Sequence, residues 1–416
     1  MLMNPISAKL KTMRIALISF EFPPAVAIGG IGSYAWEAAR MLAGAGVAVE
    51  VFAAGTSQQE PASAFGVRVH RVEAGDREAF REAVLPAFAA RHGELPFDLI
   101  ESPEIGAEGA QIAAAFPELA VISKLHTPSY LVGAIGHEAP TIQERLRFRL
   151  GALRRGRWAG LGRQPYIREQ DPEWVFTRTV DGIDAPSQAI ADRLSADWGL
   201  DPVKLSVFAY PFQPDPALLD LPIPNQARTI GFLGRLEARK GVVELARAIP
   251  HILRQAPHLN FRFLGPSWPY RKSDMETWIR HHCRTTLNHL TFVGPVTREK
   301  LAVELGLCDV IVLPSRWENF PFACWESLAS GRAVIGSSAG GMADVIQAGK
   351  SGLLVQPHSP GAISEAVLSL VQQPEKVGRF GAAGRQRVLD HLAPDRILPL
   401  QLASYERAMA RAKQRQ

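Results

Sequence analysis

Two glutamates stand eight positions apart in Glu318-Asn-Phe-Pro-Phe-Ala-Cys-Trp-Glu326, directly after the apolar run Asp309-Val-Ile-Val-Leu-Pro-Ser315. The run reads as a buried strand and Pro321–Ser330 as a helix, so one carboxylate precedes the helix and the other lies within it. In an open α/β sheet, ligands sit outside the carboxyl ends of the strands. A carboxylate placed there accepts two hydrogen bonds from neighbouring hydroxyls, which is what a sugar ring presents. The backbone amides from Asn319 to Phe322, at a helix N-terminus, are suited to phosphate or sugar oxygens. A pair of surface glutamates at a helix start is the alternative.

Positive charge of matching use lies upstream. The segment Thr229–Leu233 reads as a strand and runs into Gly234-Arg-Leu-Glu-Ala-Arg-Lys-Gly241, where Arg235 and Lys240 open a helix. A diphosphate is bound by delocalised positive charge near helix-terminal amides, and a guanidinium takes two of its oxygens at once. A basic helix start facing solvent looks the same in isolation; the acidic segment downstream favours an anion site. In the first half, Gly29-Gly-Ile-Gly-Ser-Tyr34 opens a helix, and a glycine-rich loop lets amides approach an anion. Gly30 to Ala35 also fits a dinucleotide fingerprint, but that fingerprint begins right after its strand. Here nine residues separate Phe20 from Gly30, which argues against a nicotinamide cofactor. His126, in Lys124-Leu-His-Thr-Pro-Ser-Tyr130, falls at the end of another apolar run, where it either packs or holds a hydroxyl or phosphate oxygen. Glu101 and Glu104 end an earlier run and suit either an acceptor pocket or a helix cap.

The elements that must position these residues alternate strand and helix, the rhythm of parallel sheets covered by helices. Strands are expected at Met13–Phe20, Val47–Ala53, Asp98–Glu101 and Ala120–Leu125, with helices at Gly32–Ala43 and Ala189–Trp198. Five prolines between Pro211 and Pro224 then stop both helix and sheet and mark a linker. The rhythm restarts with strands Thr229–Leu233, Asn260–Leu264, Leu290–Val293, Val310–Leu313, Ala333–Gly336 and Leu353–Val355. Helices are expected at Val242–Gln255, Arg298–Gly306 and Met342–Ala348, with further helical patterns from Pro360 onward. The predicted fold is α/β, two doubly wound parallel-sheet domains facing across a cleft, a preferred place for small-molecule sites.

The 416 residues exceed one ordinary core, and two domains follow from length alone. A 47% apolar and 21% charged composition is that of a globular chain. Cys283, Cys308 and Cys324 have no metal-ligand spacing and suit a reduced, cytoplasmic protein. No signal peptide or membrane-spanning run is read in the chain. The net charge of +5 suits an anionic partner. Residues 145–168 hold eight arginines among Phe148, Leu150, Leu153, Trp158 and Tyr166. That pattern suits either a solvated helical face or peripheral contact with an anionic membrane on its inner face. No nucleic-acid module accompanies the arginines, so no nucleic-acid partner is expected.

The order of these motifs resembles the retaining glycosyltransferases of GT-B architecture, family 4 in particular (glycosyltransferase group 1). The resemblance covers the chain from about Met13 to the final helices and includes Gly-Arg-Leu-x-x-x-Lys-Gly at 234–241 and the glutamate-x7-glutamate signature at 318–326. The Ala339-Gly-Gly-Met342 turn and the Gly349–Val355 segment complete it. Asn319 and Pro321 replace the two glycines of the commoner Glu-Gly-Phe-Gly form.

The resemblance implies residues 1–215 as an acceptor-binding domain, rejoined by a C-terminal helix at 395–416, and 226–394 as a donor-binding domain. It implies transfer of a hexose-type sugar from a nucleoside diphosphate, UDP or GDP, to a hydroxyl of a glycan or lipid-linked acceptor, in bacterial glycan or glycolipid assembly. Donor contacts fall to Gly30, Arg235, Lys240, Glu318, Asn319, Phe320, Pro321, Phe322 and Glu326; His126, Arg235, Lys240 and Glu318 act at the reaction centre. No Asp-x-Asp occurs, so neither a metal nor a cofactor beyond the sugar nucleotide is expected. Two other classes stand beside this reading: an NAD-dependent oxidoreductase using residues 29–35, and a non-catalytic sugar-nucleotide or lipid-surface binding protein.

Overall fold

The computed structural model describes residues 13–26, 29–56, 66–136, 142–154 and 166–415. Its first sheet is built from β1 (Arg14–Ile18), β2 (Ala48–Ala54), β3 (Arg68–Val72), β4 (Leu99–Pro103), β5 (Ala120–Lys124), β6 (Gly182–Ala185) and β7 (Leu205–Val207). All seven strands are parallel, in the order 3-2-1-4-5-6-7. The second sheet uses β8 (Thr229–Leu233), β9 (Asn260–Leu264), β12 (Leu290–Gly294), β13 (Val310–Leu313), β14 (Ala333–Ser337) and β15 (Leu353–Val355). Its six strands are also parallel, in the order 12-9-8-13-14-15. Between β9 and β12, β10 (Pro269–Tyr270) and β11 (Ser273–Asp274) form a small antiparallel ribbon.

Helices on both faces explain why β1, β8 and β13 are largely apolar runs. Every residue of β13 is buried, as are the last four of β1 and of β8. In each sheet the strand order reverses beside its first strand, between β1 and β4 and between β8 and β13. Loops leaving the carboxyl ends of neighbouring strands part there, which opens a crevice.

The final helix, Pro394–Arg415, leaves the second sheet and packs on the first. Its Leu402, Tyr405, Ala408 and Ala412 join the core beneath β1 and β5. Ser404 Oγ donates to Asp184 at 2.5 Å, and Arg415 pairs with Asp181 at 2.8 Å. Where the two passages between the sheets meet, Phe212 N donates to Leu392 O at 3.4 Å.

Several elements depart from the sequence expectation. The proline-rich segment contains a short helix, Pro216–Leu219: Pro216 takes the first helical turn, where its missing N–H costs nothing, and Asp215 caps Ala217 N at 2.9 Å. The strand β3 and the helix Arg77–Glu94 are additional. In that helix only Phe80, Val84 and Phe88 are buried, a narrow stripe among charged residues.

Candidate active site

The crevices of the two sheets face each other and enclose a cleft of about 500 Å³. Gly30, His126, Arg235, Lys240, Glu318, Asn319, Phe320, Pro321, Phe322 and Glu326 all line it. Residues that the sequence places up to 296 positions apart thus share one wall or its opposite.

The basic turn after β8 is shaped by its glycines. Gly234 (φ 137°) and Gly241 (φ 71°) take backbone conformations that L side chains avoid, and a Cβ on Gly241 would lie 1.9 Å from Pro314 O. The turn is thereby pressed against the loop after β13, where Arg316 N donates to Arg239 O at 2.8 Å. Lys240 Nζ reaches Glu318 Oε1 at 2.5 Å, and Arg239 Nη1 lies 4.0 Å from the same oxygen. Burial pushes the Glu318 carboxyl up, but the charges of Lys240 and Arg239 outweigh it and hold the group below the usual carboxylate range. Burial lowers the Lys240 ammonium, against the pull of Glu318. Arg235 is held from two sides: its guanidinium stands 5.1 Å from the Trp268 ring centroid and 3.3 Å from Glu237.

Pro321 lies just outside the helix Phe322–Ala329 rather than in its first turn. The expected row of ligand-facing amides is correspondingly shorter, because Pro321 has no N–H and Phe322 N donates to Phe320 O at 3.1 Å. Glu326, one turn into the helix, is half-buried, and its carboxyl is pushed up to about 7 by burial, with Arg298 opposing and Glu37 adding.

Asn319, which replaces a glycine of the commoner motif, reaches beyond its own loop. Its Nδ2 donates to Leu125 O at 3.2 Å and to His126 O, and its Oδ1 accepts from Ser187 Oγ at 3.0 Å. All three partners belong to the first-sheet half, so this side chain spans the cleft. Asp344 repeats the pattern, capping the helix Gln188–Trp198 through Gln188 N at 3.1 Å. Gly30, the first residue of the helix Gly30–Gly44, faces Phe322 closely enough that a Cβ would meet its ring at 3.6 Å.

His126 is buried at the end of β5. Its backbone N donates to Glu104 Oε2 at 2.7 Å, and its ring Nδ1 lies 2.9 Å from Tyr210 Oη. Burial, then the nearby charges of Arg77 and Lys124, hold its pKa well below the usual histidine value. The ring is therefore neutral at physiological pH.

The two acceptor candidates lie elsewhere. Glu101 is sealed below the cleft, accepting from Tyr34 Oη and Gln401 Nε2, each at 2.5 Å, and from Tyr405 Oη at 2.7 Å. It ties the C-terminal helix to β4. Glu104 is fully buried, supports His126 from behind, and has its carboxyl raised to about 8 by burial. Neither lines the cleft. The first-half wall is instead formed by Glu21, Arg77, Tyr210 and Thr127, with Arg77 pairing to both Glu21 and the buried Glu108. Arg239 had a signal in the sequence, as the neighbour of Lys240. Arg77 had none, because it stands at the start of a helix whose pattern is weak.

Comparison with known proteins accords with this geometry. Residues 29–211 match the family described as "Glycosyl transferase 4-like domain", and 219–387 match "Glycosyl transferases group 1". The D-inositol 3-phosphate glycosyltransferase of Stackebrandtia nassauensis is 27% identical over 415 residues, spanning 91% of this chain and 87% of that protein. That of Kineococcus radiotolerans is 27% identical over 427 residues, 90% of this chain and 91% of that protein. Among solved structures, sucrose-phosphate synthase from Thermosynechococcus elongatus superposes with a TM-score of 0.72 at 24% identity, covering 96% of this chain and 100% of the other. HepE from Anabaena, in complex with UDP and glucose, gives a TM-score of 0.67 at 14% identity, with 94% and 99% covered. The dinucleotide reading of residues 29–35 gives way to this assignment. Two parallel sheets around one cleft, and family matches across both, make this chain a glycosyltransferase of group 1, GT4-type, with the GT-B fold.

Proposed function

We infer that the protein transfers a hexose-type sugar, with retention of configuration, from a nucleoside diphosphate sugar to an acceptor hydroxyl in bacterial glycan or glycolipid assembly. The observation that carries this is the convergence of Arg235, Arg239 and Lys240 with Glu318 in one cleft, opposite neutral His126. Arg235 and Lys240 bind the diphosphate and stabilise its charge as it leaves, a form of electrostatic catalysis. Lys240 gives up part of its bond to Glu318 when phosphate arrives, which frees that carboxylate for sugar hydroxyls. Glu326 takes the ribose hydroxyls, while Phe320 and Phe322 border the sugar. With no Asp-x-Asp in the chain, the reaction is metal-independent and needs no cofactor beyond the donor. No carboxylate stands assigned as a nucleophile, so the acceptor attacks on the face the phosphate leaves, and that phosphate takes the acceptor proton. Residues 1–215 with 395–416 serve as the acceptor domain and 226–394 as the donor domain. UDP is the first candidate base, since HepE is described with UDP and glucose. Hydrolysis assays with UDP-, GDP- and ADP-sugars test the reading; no turnover or binding with any of them would overturn it.

A peripheral membrane role is supported by one surface. Along the helix Ile142–Arg154, Leu146, Leu150 and Leu153 are 54%, 62% and 74% exposed, and Arg149 and Arg154 are exposed beside them. Residues 155–165 of the arginine-rich segment lie outside the described residues. No helix among the described residues is long and apolar enough to cross a membrane. On this reading the exposed leucines enter an anionic interface and present the cleft to a lipid-linked acceptor. Sedimentation with phosphatidylglycerol vesicles tests it: Leu150→Glu/Leu153→Glu should abolish binding, and wild-type protein remaining in the supernatant would refute it.

A further inference from the structure

His126 is fixed at every polar position but one. Its backbone N is held by Glu104, its backbone O by Asn319, and its ring stands edge-on to Tyr34 with centroids 5.4 Å apart. The ring Nδ1 lies 2.9 Å from Tyr210 Oη, and that oxygen is also 2.5 Å from the carbonyl oxygen of Leu125. A carbonyl oxygen has no proton to give, so the shorter bond is a donation by Tyr210. A phenol carries a single proton. The bond to the imidazole therefore runs the other way, with Nδ1–H donating to Tyr210 Oη. A neutral imidazole protonated on Nδ1 has a bare Nε2. Among the described residues the hydrogen bond of the ring is made at Nδ1, and His126 lines the cleft.

We propose that Tyr210 is a positioning residue that fixes His126 as its Nδ1–H tautomer, so that Nε2 offers a lone pair to a substrate hydroxyl and not a proton to a phosphate. An ionised phosphate oxygen only accepts, and a bare nitrogen cannot serve it. The division of labour across the cleft then becomes definite: Arg235, Arg239 and Lys240 face the phosphates, and His126 faces a hydroxyl. The tautomer stands on geometry alone; the identity of the hydroxyl rests on the sugar-transfer reading above. Tyr210 is well placed for the task, because its ring is buried against Phe320, 4.8 Å away across the cleft.

Long-range proton–nitrogen correlation on protein labelled with 15N-histidine reads the tautomer directly, with His126→Gln assigning the resonance. The expected spectrum shows a protonated Nδ1 and an unprotonated Nε2. Tyr210→Phe keeps the ring and removes the hydroxyl; it should raise the Nε2–H population and lower donor turnover by roughly tenfold, the loss of one hydrogen bond. A fall in donor hydrolysis without acceptor places the hydroxyl on the donor sugar, whereas a fall only with acceptor present places it on the acceptor. A wild-type spectrum with the proton on Nε2 overturns the proposal, and so does an unchanged tautomer in a folded Tyr210→Phe. If that variant fails to fold, the wild-type spectrum decides. Absence of turnover with every sugar nucleotide would count against the donor reading and leave the tautomer measurement standing.

Discussion

Lys240 and Glu318 belong to loops that leave different strands, β8 and β13, yet their charged atoms meet at 2.5 Å on the floor of the cleft. The pair is partly buried, with Lys240 23% and Glu318 10% exposed, so each charge depends on the other. Glu318→Gln should therefore act twice. Donor turnover should fall on the order of tenfold to a hundredfold as a charge-assisted bond is lost, and stability by about 1–3 kcal/mol as Lys240 loses its partner. Steady-state donor hydrolysis and urea unfolding measure the two effects. Unchanged turnover in the folded variant would remove Glu318 from the site.

Asn319 gives a second prediction. Replacing it with Gly, the residue of the commoner motif, removes three bonds across the cleft, each worth about 0.5–1.5 kcal/mol. The variant should sample more open arrangements, seen as a larger radius of gyration in small-angle scattering, and should raise the KM for donor more than it lowers kcat. Identical scattering curves would show that the bonds do not govern closure.

The contrast between these two residues marks what could be read in the sequence. Glu318, Lys240 and the strands flanking them were legible because β8 and β13 are buried along nearly their whole length, which leaves apolar runs that end in Gly234 and in Pro314-Ser315. The strand β3 was not, because it lies at the edge of its sheet and holds only Val69 and Val72 as apolar residues among Arg68, His70 and Arg71. The bridging by Asn319 was also illegible: its partners Leu125, His126 and Ser187 lie more than a hundred positions away, and only the docking of two sheets brings them together. The sealing of Glu101 was illegible for the same reason, since the helix that covers it arrives from the far end of the chain, whereas Glu104 is buried behind His126, a neighbour in its own sheet.

Glu326 predicts a pH dependence. Its carboxyl, raised to about 7 by burial, is protonated below that value in the ligand-free protein and ionised above it. A carboxylate accepts ribose hydroxyls better than a carboxylic acid does, so nucleotide affinity should strengthen as pH rises through about 7. Stability should move the opposite way, falling from the usual glutamate range up to about 7, because the folded state binds the extra proton in that window. Glu326→Gln should flatten both profiles in titration calorimetry and thermal melts. A wild-type affinity independent of pH would exclude the ribose role.

Gly241 tests the basic turn. Its φ is 71°, and a Cβ there would stand only 1.9 Å from Pro314 O, so Gly241→Ala forces the turn away from the β13 loop. A loss of about 3 kcal/mol or more is expected, together with loss of donor binding as Lys240 moves off Glu318. Chemical denaturation and nucleotide titration read both; a stable, fully active alanine variant would show that the turn has slack.

The return of the C-terminal helix has a mechanical consequence. The polypeptide joins the two halves at two places, and Phe212 and Leu392 fasten these straps side by side. A single strap would act as a swivel, whereas two in parallel act as a door hinge, free to rock about one axis and stiff against torsion. Any opening about such a hinge would follow one arc, along which Asn319 can return to the same carbonyls. Cleavage between His391 and Pro394 would turn the hinge into a swivel while leaving each wall of the cleft chemically intact.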